Sequence, residues 1–317
     1  MATAHAAAVA DGRGAIYPLV SELSNPPQRE LEMPGNTDRI VFLNGSYLPL
    51  PDAKISIMDR GFLFADGIYE VSAVLDGKLV DNDAHLSRLK RSLAELQIAE
   101  PYSRADWIGI EQELIRRNGM TEGVIYIEVT RGVAERDFVY PQDLQPTVAA
   151  FTQEKTIVAS PLGSRGATLI TLPDLRWARR DIKSVALLAQ VLAKQAAAEA
   201  GAAEAWMVED GFVTEGGSST AFMIAKDKRI VTRPLSTAVL PGITRLAVMR
   251  LAAQENLKID ERPFSVAEAK AAAEVFYTSA SSSVVPVISI DGDSIGDGQP
   301  GPMTRQLREI YINFARS

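Results

Sequence analysis

Asx-Gly turns set between apolar β-runs, followed at once by leucine ladders, constrain this chain most. Asn44-Gly45 divides "RIVFLNGSYLPL". Such a dipeptide between apolar runs predicts a type I′ hairpin, because both central residues must take positive φ. Asp76-Gly77 marks a second turn inside the β-branched stretch "GIYEVSAVLDGKLV". The period then changes. Leu86, Leu89, Leu93 and Leu96 fall at helical spacing, with Asn82 or Asp83 as the expected cap. "SRADWIGIEQELIRRNG" predicts a second helix, opened by a Ser103/Asp106 capping box and stopped at Gly119. "GVIYIEVTRG" predicts a strand with Ile125, Ile127 and Val129 on one face.

The same alternation resumes further on. "ATLITL" is a strand, "RRDIKSVALLAQVLAKQAAAEAG" an apolar helix with Lys183 at its head, and "AWMVEDGFVTEG" a hairpin. "LPGITRLAVMRLAAQENL" is a turn feeding a helix, and "EVFYTS" and "VVPVISI" are strands. This pattern predicts an α+β chain in two halves. Residues 1–36 lack periodicity and hold four prolines, Pro18, Pro26, Pro27 and Pro34, so they form an arm, either disordered or lying over a partner subunit. A small α/β domain is expected over 37–155, a linker over 156–165 and a large domain over 166–317. With 317 residues and 46% hydrophobic content there is ample core for this.

Composition closes off several chemistries. There is no cysteine, so disulfides, thiolate catalysis and cysteine-ligated zinc are excluded. The only histidines are His5 and His85, too few for a His-based metal site or a Ser-His-Asp triad; His85 is expected to be structural. A net charge of −7 disfavours nucleic acid and anionic membranes as partners. No apolar run approaches the ~20 residues that span a bilayer. The alanine-rich start lacks a basic region before its apolar run, so it is not read as a signal peptide, and a cytoplasmic protein is expected.

Four stretches carry chemistry. A lysine near a helix start is ordinarily a solvated surface residue. Lys183 differs because a cation in a first helical turn opposes the macrodipole, and Val185, Leu187 and Leu188 desolvate it. Both effects favour the neutral amine, a nucleophile toward carbonyls. In "VTEGGSSTAF", Glu215 ends a strand before Gly216-Gly217, with Ser218, Ser219 and Thr220 beside it. A carboxylate fixed there can hold a ring nitrogen protonated. In "LPGITRLAV", Gly242 precedes Ile243 and Thr244 at a helix N-terminus, which suits an anion. "TSASSSVV", which includes Ser281, adds hydroxyl donors, and Arg88 can add a cation. An imine-forming amine, an acid for a pyridine nitrogen and a phosphate cup are the parts that hold pyridoxal 5′-phosphate.

From about Arg39 to its end the chain resembles the class IV, fold type IV, pyridoxal-phosphate aminotransferases. The carrying motifs are "DRGFLFADGIYEV", "HLSRL", "VTRGVAERDFVYP", "RWARRDIKSVALLAQVLAKQ", "VTEGGSSTAF", "LPGITR" and "FYTSASSSVVPVISIDG". Within that family it is most similar to the D-amino-acid enzymes. The resemblance implies a two-domain fold with the cofactor between a smaller N-terminal and a larger C-terminal domain, and a homodimer that completes the pocket. It makes Lys183 the Schiff-base lysine and Glu215 the partner of the pyridine nitrogen. It assigns the phosphate to Arg88, Ile243, Thr244 and a serine around Ser281, with Ser219 beside the cofactor. Tyr69 would face the substrate. Arg136 would reach the carboxylate of substrate bound in the neighbouring subunit.

The reaction implied is ping-pong transfer of the amino group of a D-amino acid, such as D-alanine, to 2-oxoglutarate or pyruvate. Two residues depart from the family pattern. Phe138 stands where the D-amino-acid enzymes carry histidine, and Ala186 where the family often has asparagine. Phe138 makes the pocket more apolar, so an (R)-selective amine transaminase is the first alternative. A branched-chain L-amino-acid aminotransferase, a lyase of the 4-amino-4-deoxychorismate type and a catalytically silent scaffold follow.

Overall fold

The structure is a computed structural model that describes residues 38–317, which form one compact unit. The arm expected over residues 1–36 lies outside the described residues. The first sheet contains β1 (Ile40–Leu43), β2 (Ser46–Pro49), β3 (Gly67–Leu75), β4 (Lys78–Leu79), β5 (Gly123–Thr130) and β6 (Thr147–Glu154). Its order is β2-β1-β6-β5-β3-β4, with every neighbour antiparallel. The two hairpin dipeptides behave as the turn chemistry requires. Asn44 and Gly45 have φ of 47° and 91°, and Asp76 and Gly77 of 51° and 74°.

Helix α1 (Arg60–Phe64) precedes β3, and α2 (Asn82–Glu95) and α3 (Arg104–Asn118) cover one face of the sheet. Leu86, Leu89 and Leu93 of α2 pack with Trp107 and Leu114 of α3 against Ile125, Ile127 and Val129 of β5. Helix α3 starts at the expected Ser103/Asp106 capping box and stops at Gly119, whose φ is 59°. The start of α2 departs from expectation. Asp81 is the cap residue, in left-handed backbone, and no side chain caps the helix. Asn82 is committed inward instead, accepting from the Ser72 hydroxyl at 3.1 Å and donating to Glu111.

The second sheet contains β7 (Ala167–Pro173), β8 (Glu204–Glu209), β9 (Phe212–Gly216), β10 (Thr220–Ile224), β11 (Ile230–Thr232), β12 (Ile259–Glu261), β13 (Glu274–Ser279), β14 (Ser283–Ile290) and β15 (Asp293–Ser294). It is mixed. β11–β12, β14–β7 and β7–β8 run parallel, and the other pairs antiparallel. Around it lie α4 (Pro161–Arg165), α5 (Leu188–Glu199), α6 (Ile243–Gln254), α7 (Val266–Lys270) and α8 (Pro302–Arg316). Helix α4 falls inside the stretch read as a linker.

Strand β3 is buried on both faces. Ile68 and Val74 join the core under α2 and α3, while Ala73 and Leu75 pack with Phe222, Ile224 and Phe276 of the second sheet and Leu307 and Tyr311 of α8. Glu70 of β3 also turns toward α2. Arg88 donates to it from Nε at 2.9 Å and Nη2 at 2.5 Å, and His85 Nδ1 lies 3.0 Å away. Burial opposes ionisation of Glu70, yet Arg88 and His85 outweigh it and hold the carboxyl well below the usual range. Burial pushes the His85 imidazole down, more than the neighbouring carboxylate raises it.

That last shift gives a prediction. Below pH 6.5, its ordinary value, the unfolded chain gains a proton on His85 that the folded ring resists. Stability therefore falls as the pH drops below 6.5. Urea unfolding at pH 7.5 and 5.5 should show a smaller loss for His85→Gln than for the unaltered protein. Equal losses would contradict this origin.

Candidate active site

The segment before α5 is not helical. Tyr69 N–H donates to the Lys183 carbonyl at 2.9 Å, Val185 N–H donates to the Gly67 carbonyl at 3.1 Å, and Ile68 and Ser184 form a β-bridge. Residues 183–185 thus run along the edge of β3. Helix α5 begins at Leu188, so the reading of Lys183 as a first-turn cation is corrected. The segment is pinned from the other side by Arg91 of α2, which pairs with Asp181 and donates to its carbonyl at 2.8 Å. This placement sets the Lys183 amine 4.0 Å from the centroid of the Tyr69 ring. Among the described residues the amine has no hydrogen-bond or ion-pair partner.

The amine opens on a cavity of about 220 Å³ between the two sheets, lined also by Tyr69, Arg88, Glu215, Thr244 and Ser281. Ser219 and Ile243 line it too. Glu215, at the end of β9, is buried. Its carboxylate pairs with Arg176 and accepts the Leu240 N–H at 3.1 Å. Burial pushes the Glu215 carboxyl up, and the Arg176 guanidinium works against that. Asp174 grips Arg176 in turn, at 3.0 and 2.7 Å. Arg176 is a site residue that the sequence reading missed. It stands in "RWARR" with two other arginines, and nothing local distinguishes it.

The lining around Gly242 and Thr278 is rich in donors. Gly242 is the cap residue of α6, without a side-chain cap for the first-turn N–H groups. A Cβ on Gly242 would lie 2.6 Å from the Thr220 hydroxyl, so a larger residue there would have to displace that side chain. Arg88 holds the turn by donating to the Pro241 carbonyl at 2.8 Å. With two bonds to Glu70 and one to Pro241, its guanidinium keeps N–H donors available. Thr278 Oγ1 lines the cavity, is buried, and has no hydrogen-bond partner. Such orphaned hydroxyls in a native site need an explanation, and a bound group is one. Ser219 differs, because its hydroxyl donates to Glu204 at 3.0 Å.

Two expected residues stand outside the cavity of their own chain. Arg136 and Phe138 lie on the loop between β5 and β6, and Phe138 is 79% exposed. The loop is ordered by arginines. Arg60 donates to the Asp137 carbonyl at 2.6 Å, and Arg131 stacks 3.7 Å from the Tyr140 ring centroid. Arg136 sits 5.5 Å from the Phe64 ring centroid.

The chain matches the family described as amino-transferase class IV over residues 67–290. It is 40% identical over 278 residues to the D-alanine aminotransferase of Staphylococcus aureus strain N315, covering 87% of this chain and 98% of that one. Identity to the D-alanine aminotransferase of Bacillus licheniformis is also 40%, over 86% and 96% of the two chains. The fold matches that of the Escherichia coli branched-chain amino acid aminotransferase, with a TM-score of 0.81 at 21% identity over 88% and 95% of the chains. An amine, a buried carboxylate and a donor-rich turn around one cavity agree with these matches: the chain belongs to the class IV aminotransferases.

Proposed function

We propose that this enzyme moves the amino group of D-amino acids, such as D-alanine, to a 2-oxo acid, 2-oxoglutarate or pyruvate, with pyridoxal 5′-phosphate as cofactor. The observation that carries this is the Lys183 amine, without a hydrogen-bond or ion-pair partner among the described residues, on the wall of a cavity also lined by the orphaned Thr278 hydroxyl. Relatives of 40% identity named D-alanine aminotransferase support the choice of substrate.

The residues fit the cofactor. Lys183 would attach it, Glu215 would meet its ring nitrogen, and the N–H groups of Ile243 and Thr244, the hydroxyls of Thr278 and Ser281, and Arg88 would take its phosphate. Ser219 borders it. Bound there, the cofactor supplies the electron sink that makes a substrate Cα–H bond acidic. The protein moves the proton. Once the substrate amine had displaced it from the cofactor, Lys183 Nζ would take that proton from the substrate Cα as general base, with no ion pair to break first. Burial pushes the Glu215 carboxyl up and the Arg176 guanidinium opposes that, so the pair would place a hydrogen-bonding carboxyl group at the ring nitrogen. Tyr69 packs its ring against the amine and limits the directions from which substrate can approach.

Carboxylate recognition is assigned to Arg136 of a second copy, in a homodimer. Val133, Phe138 and Val139 on the loop that carries Arg136 are exposed, as is Phe62 of α1, whose neighbours Asp59 and Arg60 bond to that loop, and burying them against another copy removes apolar surface from water. Phe138 favours one second reading. An exposed aromatic ring next to Arg136 offers a surface for the apolar group of an (R)-amine.

Two outcomes test this. With 2-oxoglutarate or pyruvate as acceptor, D-alanine should be turned over faster than (R)-1-phenylethylamine or L-leucine. Turnover of either of the latter without D-alanine would overturn the assignment. Lys183→Ala should lower turnover at least about a thousandfold, and borohydride reduction of the unaltered holoenzyme should fix the cofactor on Lys183. An adduct on another lysine would refute its role.

A further inference from the structure

Arg308 of α8 is 7% exposed and donates only to neutral groups. Nη1 donates to Ser283 Oγ at 2.6 Å, the Val284 carbonyl at 2.7 Å and the Ser282 carbonyl at 3.2 Å. Nη2 donates to the carbonyls of Ile157 at 2.8 Å and Val158 at 3.0 Å. The other buried arginines each have an acid. Arg60 and Arg131 share Asp66, Arg88 has Glu70, Arg180 has Glu209 and Arg245 has Glu261. Arg308 has none among the described residues. A buried cation without a counter-charge is costly unless something else balances it.

Its position says what that is. Ser282–Val284 follows directly on Thr278–Ser281, which lines the donor-rich end of the cavity, while Arg308 itself stands outside the lining. Ser283 has a φ of 58°, in the left-handed region that a serine adopts only when held there. Arg308 supplies the hold, gripping the Ser283 hydroxyl and the carbonyl on either side. Through Ile157 and Val158 it ties this turn to the segment between β6 and α4.

We propose that Arg308 is a positioning residue for a dianionic phosphate. It fixes the Ser279–Ser283 turn from behind and places positive charge beneath it, so that the cavity prefers a doubly charged anion. This rests on the reading that the hydroxyl end of the cavity takes the cofactor phosphate. Gly163 of α4 provides an independent handle. The Arg308 guanidinium occupies the space a Cβ at residue 163 would need, and Gly163 has no positive φ that would bar alanine.

The test compares the apoprotein with Arg308→Gln, Arg308→Lys and Gly163→Ala. Each is titrated with pyridoxal 5′-phosphate and with pyridoxal, which lacks the phosphate, by the absorbance of the bound chromophore. Inorganic phosphate is added separately in a thermal-shift series. Arg308→Gln and Gly163→Ala should weaken pyridoxal 5′-phosphate at least tenfold, leave pyridoxal within twofold, and remove the stabilisation by inorganic phosphate. Arg308→Lys should restore part of the preference. Should Arg308→Gln fail to fold, Gly163→Ala and Arg308→Lys carry the comparison. Unchanged affinity for pyridoxal 5′-phosphate, or equal loss for both ligands, would overturn the proposal. If the unaltered protein itself failed to prefer pyridoxal 5′-phosphate over pyridoxal, the phosphate reading of the cavity would fall, and this inference with it.

Discussion

The main-chain pairing of Lys183 with Tyr69 fixes the geometry of the site. Strand β3 offers its edge at Gly67–Tyr69, and residues 183–185 complete it. A lysine that belongs by sequence to the second half is thereby hydrogen-bonded to the first sheet. Its side chain faces a cavity whose other walls come from β9, the start of α6 and the β13–β14 turn. Because β3 is buried on both faces, its edge cannot shift without disturbing two cores at once. The amine is positioned by backbone hydrogen bonds rather than by an ion pair, which leaves its nitrogen available for chemistry.

Around this frame, acids and arginines are matched at close range. Glu70 carries Arg88 and His85, Glu215 carries Arg176, and Asp174 carries Arg176 and Arg180. Buried pairs of this kind contribute little net stability, but they fix orientation, since breaking one strands a charge. Each network reaches the cavity, the first through Arg88 and His85 and the second through Glu215, Arg176 and Arg180. The polar groups facing the cavity are therefore preorganised, which is the condition for electrostatic help at low reorganisation cost.

Much of this was legible locally. Asn44-Gly45, Asp76-Gly77, the Ser103/Asp106 box and Gly119 fold as their own chemistry dictates, because each signal and its answer lie within a few residues. The misreadings have one cause, which is a partner distant in sequence. The helix expected to begin at Lys183 starts at Leu188 because Tyr69 and Gly67 claim the backbone of residues 183–185. Asn82 does not cap α2 because Glu111 and Ser72 claim its side chain. Arg176, Arg179 and Arg180 look alike in the sequence, yet they answer to Glu215, Asp181 and Glu209 respectively. Arg308 gave no local sign at all, since its acceptors come from two other segments.

A crystal structure of the protein with pyridoxal 5′-phosphate bound tests the central arrangement most directly. Continuous density should run from Lys183 Nζ to the cofactor, with the phosphate among Thr244, Thr278 and Ser281, the ring nitrogen at Glu215, and the Tyr69–Lys183 main-chain hydrogen bond intact. A cofactor joined to another lysine, or residues 183–187 rewound into the first turn of α5, would contradict it.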